Sequence, residues 1–122
     1  MINNIINDII KQIKPLLPAG TQILLEQDTQ KSPFVSIWIA STDIEDSHEV
    51  IYTNWIIREP KGNFGSLSRA VNRALLQFQQ IDKTDYSIFG VAIPQGINKL
   101  NYTNDNKDTE SLLSVKVFYN VL

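Results

Sequence analysis

The chain has 122 residues, no cysteine, one histidine and a formal net charge of −2 at neutral pH. A chain of this length is typical of one domain with one hydrophobic core, and the sequence predicts a single domain over residues 1–122. The lack of cysteine excludes disulfides, thiolate catalysis and cysteine-ligated zinc. The weakly acidic charge argues against a protein that grips nucleic acid, because that work needs clustered Lys and Arg.

Membrane insertion and secretion are not expected from the sequence. No apolar run approaches the roughly 20 residues that a membrane span needs. The first residues also lack the basic and apolar regions of a signal peptide. The sequence therefore predicts a soluble globular chain without a membrane partner.

The first predicted element is an amphipathic helix over Ile2–Leu17. Apolar residues recur there at the three-and-four spacing of one helical face. Asn3 or Asn4 is available to cap its start. Pro15 should bend or end the last turn, and the Pro18-Ala19-Gly20 segment should stop the helix.

Three strands are predicted next, over residues 21–26, from Pro33 onward, and over residues 49–58. In the last of these, Ile51, Thr53, Trp55 and Ile57 alternate with a more polar set, and the Ile-rich side is the expected core face. Residues 41–47 are rich in acidic side chains and are predicted to form a loop.

A second helix is predicted over Leu67–Phe78, with Ser66 as its N-cap. Two more strands follow, over residues 86–93 and 112–121, separated by a long polar loop over residues 98–111. The predicted fold class is α+β, with a mostly antiparallel or mixed sheet of about five strands and both helices packed on one face.

The acidic segment is the one metal-like cluster in the sequence. It contains Asp43, Glu45, Asp46, His48 and Glu49, and oxygen-rich ligands would suit Mg²⁺ or Ca²⁺. The segment lacks the central glycine and the spacing of a calcium loop, so a solvated acidic turn is the favoured interpretation. The sequence predicts no metal and no cofactor.

Catalytic motifs are also missing. His48 is the sole histidine, Ser66 is explained by a capping role, and residues 62–65 lack the Lys-Ser/Thr ending of a phosphate-binding loop. The predicted protein is not an enzyme. Trp38, Tyr52 and Trp55 lie on adjacent predicted strands, where core packing or a protein interface is favoured over base stacking.

Taken as an ordered whole, the chain resembles the tail terminator or tail-completion (head-tail joining) proteins of long-tailed bacteriophages. The features that carry the resemblance are the first helix, the Ser32-Pro33-Phe34-Val35 strand entry, the long strand containing Tyr52, the helix over Leu67–Phe78 and the final strand pair. The resemblance covers nearly the full length and rests on the order of elements.

The resemblance implies a structural virion protein without catalytic residues, located at the head-proximal end of the tail and assembled in the cytoplasm of a bacterial host. It implies a homohexameric ring whose partners are the tail tube protein and the head-tail connector protein. DNA would pass through the ring without being specifically bound. Expected contact segments are residues 41–47, 59–65 and 98–110 together with the polar face of the second helix. The residues singled out there are Asp43, Glu45, Asp46, His48, Arg58, Lys61, Phe64, Arg69, Arg73, Asn98, Lys99, Asn101 and Tyr102.

Three alternatives stay open at this point. A small binding or adaptor module, acting as a monomer or dimer, could have the same helix-flanked sheet and would be favoured by a dry apolar pocket. Another head-tail connector subunit would share the size and the element order. An enzyme that uses His48 and a divalent ion is the third.

Overall fold

The computed structural model of the protein describes residues 1–28, 32–94, 96–103 and 108–122, with residues 97–103 described by their backbone alone. Its two helices are α1 (Ile2–Ile13) and α2 (Ser66–Leu76). The strands are β1 (Gln22–Leu25), β2 (Phe34–Glu45), β3 (His48–Pro60), β4 (Ile81–Asp82), β5 (Tyr86–Ala92), β6 (Ile97–Thr103) and β7 (Asp108–Val121). The expected α+β class is confirmed.

Within the described residues the strands form one sheet in the order β1-β2-β3-β7-β5-β4, and β6 also pairs with β7. Only β1 and β2 run parallel; the other pairs are antiparallel. Because β3 occupies one side of β7 along nearly its whole length, β5 and β6 share the other side. The sheet is therefore mixed and centred on the long β3–β7 ladder.

Both helices pack on one face of this sheet, as predicted. The core face of β3 carries Ile51, Trp55 and Ile57, which are fully buried. Trp55 is also fixed by polar contacts, because its Nε1–H donates to Thr53 Oγ1 (2.9 Å), which itself donates to the Val115 carbonyl (2.9 Å). The core face predicted for β3 is thus confirmed.

The start and end of α1 differ from the sequence prediction. Its N-cap is Met1, without a side-chain hydrogen bond, so neither Asn3 nor Asn4 caps it. The helix ends at Ile13, and Pro15 lies in a 3₁₀ turn over Lys14–Leu16. The spacing of the isoleucines predicts one buried helical face, and this is confirmed because the main members of the stripe are fully buried. Each contributes about 2 kcal/mol to folding stability relative to an exposed side chain. These main members are Ile5, Ile6, Ile9 and Ile13.

The sheet has seven strands where about five were predicted: β4 and β6 are additional, and polar segments lengthen β2 and β7. β2 continues through most of the predicted 41–47 loop to Glu45, where it pairs with His48 of β3. Residues 97–103 and 108–111, expected in a loop, form β6 and the start of β7. The hydrogen bonds between strands are made by the backbone. A polar segment can therefore pair with a long neighbouring strand even where its side-chain pattern does not predict a strand.

Candidate interaction surfaces

The β3–β7 ladder has two ends with different surface chemistry. β3 contains 13 residues, so at about 3.3 Å per residue its ends lie about 40 Å apart. The acidic end consists of the β2–β3 hairpin over residues 43–49. The basic end consists of the β3–α2 connection and the first turn of α2, with Lys61, Phe64 and Arg69.

The acidic end is a two-residue hairpin. Glu45 pairs with His48, and the intervening Asp46 and Ser47 both have positive φ angles (51° and 68°). Two successive left-handed residues are the signature of a type I′ turn, which matches the twist of the flanking strands. The predicted acidic loop is thus a strand end, and Asp43 and Asp46 are exposed at its tip.

A carboxylate, a phenol and an ammonium group meet beside this hairpin. Tyr52 donates its hydroxyl to Glu45 Oε2 (2.8 Å), and Lys116 Nζ lies 3.0 Å from Glu45 Oε1. The Tyr52 hydrogen bond, followed by that of Lys116, lowers the pKa of Glu45. The same contact raises the pKa of Tyr52, because ionisation of the phenol would remove the donated proton. Glu45 therefore stays charged at neutral pH and is engaged within the chain.

An apolar groove lies next to the hairpin, on the sheet face opposite to the helices. We call it the Phe89 groove; it has a volume of about 440 Å³ and is lined by His48, Phe89, Gly90, Val91 and Phe118. The His48 and Phe89 rings lie 5.5 Å apart and are tilted by 58°. A register shift between Ile88 and Gly90 marks a bulge at Phe89, which remains 38% exposed. The groove therefore presents aromatic surface beside acidic side chains.

The basic end is braced by a buried carboxylate. Glu59, only 1% exposed, accepts hydrogen bonds from the backbone N–H groups of Leu67 (3.1 Å) and Ser68 (3.2 Å) and from the Ser68 hydroxyl (3.0 Å). The N-cap residue is Gly65, which has no side chain, so the prediction that Ser66 caps α2 was wrong. A negative charge at a helix N-terminus satisfies unpaired donors and complements the helix dipole. Glu59 thus joins β3 to α2.

Arg58 lies inside this end of the molecule and not on its surface. It is 7% exposed, its Nε lies 2.9 Å from Glu110 Oε1, and its guanidinium stands 4.6 Å from the centroid of the Phe34 ring. Arg58 Nη1 is also 3.6 Å from Asp28. Arg58 thus forms ion pairs with two acidic side chains at the basic end.

Phe64 is the most exposed large apolar side chain among the described residues, at 80%. Its φ angle of 52° is left-handed, which is uncommon for a bulky side chain. Two contacts hold this geometry: the Phe64 N–H donates to the Lys61 carbonyl (3.5 Å), and Arg69 Nη1 donates to the Phe64 carbonyl (2.9 Å). We call residues 61–65 the Phe64 loop. It projects an aromatic ring into solvent from a fixed backbone.

Three exposed cations lie close to Phe64 in sequence, one in the Phe64 loop and two on α2. Lys61, Arg69 and Arg73 are exposed, and within the described part of the chain no carboxylate lies within ion-pair distance of them. Arg69 and Arg73 stand one turn apart on α2, as the helical spacing predicts. The basic end therefore combines an exposed aromatic ring with unpaired positive charge.

The structure thus brings the sequence-predicted contact residues into two groups. Asp43, Glu45, Asp46 and His48 lie at the acidic end. Lys61, Phe64 and Arg69 lie at the basic end, and Arg73 is one turn further along α2. The side chains of Asn98, Lys99, Asn101 and Tyr102 lie outside the described residues. The expected aromatic face is divided, because Trp38 and Tyr52 lie on the face opposite to buried Trp55.

Sequence reasoning missed Glu59 and the Phe89 groove. Glu59 reads as a polar strand end, and nothing local marks it as a cap for a helix several residues later. The groove did leave a signal: Gly90 interrupts a strand pattern, and an isolated strand glycine is typical of a bulge. Among the described residues, no group of three or more His, Asp or Glu side chains is placed to hold a metal ion.

Comparisons with known proteins add no relatives: no protein-family model matches the chain, and no curated protein is significantly similar to it. In the described residues, no helix has the length and apolar character to cross a membrane.

Proposed function

We propose that this protein is a structural subunit of a phage tail. In this proposal, copies close into a hexameric ring at the head-proximal end of the tail, end polymerisation of the tail tube and join the tail to the head connector. The observation that carries the proposal is the pairing of two complementary surfaces at opposite ends of one rigid ladder. One is basic with a projecting aromatic ring, and the other is acidic with an apolar groove.

Complementary surfaces at opposite ends favour heterologous association. A self-complementary patch gives a two-fold dimer, whereas two different patches join head to tail and give a ring if the rotation closes. Exposed aromatic and arginine side chains are the residue types enriched at such contacts. Charge of opposite sign at the two ends aligns the subunits and disfavours basic-to-basic or acidic-to-acidic encounters.

The surface charge also fits a passage for DNA. A weakly acidic protein with its cations engaged between subunits would present few free phosphate contacts to DNA in the lumen. The tail assignment itself comes from the resemblance in element order and not from any single residue.

Solution mass tests the first step of this proposal. Native mass spectrometry and light scattering across a wide concentration range should give a hexamer, and negative-stain images should show rings. A strictly monomeric chain at every concentration would contradict ring formation and favour the adaptor alternative.

The second step requires the tail tube protein encoded in the same phage genome. That protein should be polymerised with and without the ring, and the ring should carry a gold label. Labels at one tube end only, with shorter tubes at rising ring concentration, are the expected result. Rings that ignore tubes but bind the connector protein would assign the chain to the connector instead.

A further inference from the structure

We infer that Phe64 of one copy inserts into the Phe89 groove of the next copy. This inference rests on the self-association step of the proposed function and not on its tail step. It identifies the occupant of the groove as a second copy of this chain.

The first argument is that the Phe64 ring has no function within its own fold. The side chain is 80% exposed, and its left-handed backbone is a geometry that glycine or asparagine adopts at lower cost. The surrounding contacts hold this geometry through the Phe64 backbone and not through the ring. Strained residues persist where the structure over-determines them, and such positions cluster at sites that bind something.

The second argument is the match between the ring and the groove. The Phe89 groove is bounded by two phenylalanine rings and an imidazole, with Gly90 at its base. Gly90 has no heavy atom within 4 Å of the place where a Cβ would stand, so the floor of the groove is open. An aromatic side chain entering there can stack in tilted geometry on Phe89 and Phe118.

The third argument is charge. The Phe64 loop contains Lys61 and is contacted by Arg69, while the groove has Asp43, Asp46 and Glu49 at the neighbouring hairpin. The described acids of the basic end are engaged within the chain. Asp28 and Glu110 face Arg58, Glu59 accepts from the first turn of α2, and Asp108 accepts from the Ser32 hydroxyl. The orientation that places Phe64 in the groove also brings the basic and acidic ends together. The contact is dry and aromatic in its centre and charged at its rim, as stable interfaces are.

Cysteine cross-linking tests the contact directly, because the chain has no cysteine of its own. Phe64→Cys and Phe89→Cys should be prepared as separate proteins with different isotope masses, mixed at a concentration at least a hundredfold above that for half-assembly of the unmodified protein, and mildly oxidised, because each change removes an aromatic ring from the contact. Leu76→Cys serves as the matched control, since Leu76 lies on α2 and is 72% exposed. We expect a disulfide between Phe64→Cys and Phe89→Cys at least tenfold more abundant than any with Leu76→Cys.

The outcomes separate the two proposals. If the unmodified protein is oligomeric but Phe64→Cys does not cross-link to Phe89→Cys above the control, the contact is wrong and the ring remains. If the unmodified protein is monomeric at all concentrations, self-association itself fails. As a second readout, Phe64→Ala should raise the concentration for half-assembly by tenfold or more, whereas Leu76→Ala should leave it within twofold. Equal effects of the two substitutions would also overturn the inference.

Discussion

The two ends of the β3–β7 ladder are built in opposite ways. At the basic end, a buried glutamate and a buried arginine tie β3 to α2, β7 and Phe34, so the exposed Phe64 loop stands on an internally braced base. At the acidic end, the hairpin is held by the half-buried Glu45–Tyr52–Lys116 contacts. Buried polar contacts are costly to break and exposed ones are not. The basic end is therefore expected to be the more costly of the two to disrupt.

Glu59→Ala should give the largest loss of stability. It leaves two backbone donors and the Ser68 hydroxyl without their acceptor, at a cost of about 3 kcal/mol in the free energy of unfolding. Urea denaturation followed by circular dichroism measures this loss. Glu49→Ala, the matched change at the acidic end, should stay within about 0.5 kcal/mol. Equal losses would mean that the basic end is not specially braced.

Arg58→Ala should cost about 2 kcal/mol, because it removes a buried ion pair and the contact with the Phe34 ring. The counterpart is Lys116→Ala, which removes an ion pair that is half-exposed to water. Thermal unfolding of both variants should show a clear drop in Tm for the first and a small one for the second. A larger drop for Lys116→Ala would reverse the comparison.

Residues with left-handed backbone conformation occur at both ends of the ladder. Replacing them with residues that adopt this conformation more readily should stabilise the monomer. Phe64→Asn should raise the free energy of unfolding by up to about 1 kcal/mol, because asparagine tolerates this region better than phenylalanine does. Ser47→Gly should have a similar effect, since it creates the Asp-Gly pair favoured in type I′ turns. Only the Phe64 variant should weaken self-association. If Phe64→Asn destabilised the monomer, the ring would have a role in its own fold.

The smallest effect is expected from the titration of Glu45. Its folded pKa is lowered, so the stabilisation from this group is present above the unfolded value of about 4.5 and is lost as pH falls through the folded pKa. Carboxyl-carbon NMR should report the lowered value. Tyr52→Phe and Lys116→Met should each move the pKa of Glu45 back toward its ordinary value. An unchanged pKa in both variants would mean that these two contacts do not lower it.

The parts of the fold in which apolar residues repeat at a regular spacing could be predicted from the sequence. The Ile5–Ile13 stripe, the core face of β3 and the α2 segment are all set by side chains that alternate or recur on one face. The tip of β2 and the whole of β6 could not be predicted, because polar segments become strands there through pairing with a longer neighbour. The cap of α2 was missed for a related reason: Glu59 reaches it through tertiary structure and not through local sequence.

The sequence singled out Asp43, Asp46, Lys61, Phe64 and Arg69 as candidate contact residues, but it predicted neither their geometry nor the groove at Phe89. In the sequence these residues belong to polar segments, which is why they were expected to make contacts. In the structure they lie at the two ends of the ladder. Their separation by the length of a strand, and their opposite sign, appear only once the ladder is built. The groove depends on a bulge in β5 and on the end of β7, which are distant in sequence from the hairpin.

Charge-reversal mixing tests head-to-tail assembly most directly. One variant should carry Lys61→Glu and Asn63→Glu, and the other Asp43→Lys and Glu49→Lys; Arg69 is left intact because it holds the Phe64 carbonyl. Each variant alone should remain monomeric by native mass spectrometry, and an equimolar mixture should regain a ring of alternating copies. Monomers that persist in the mixture, or variants that each assemble alone like the unmodified chain, would contradict the account.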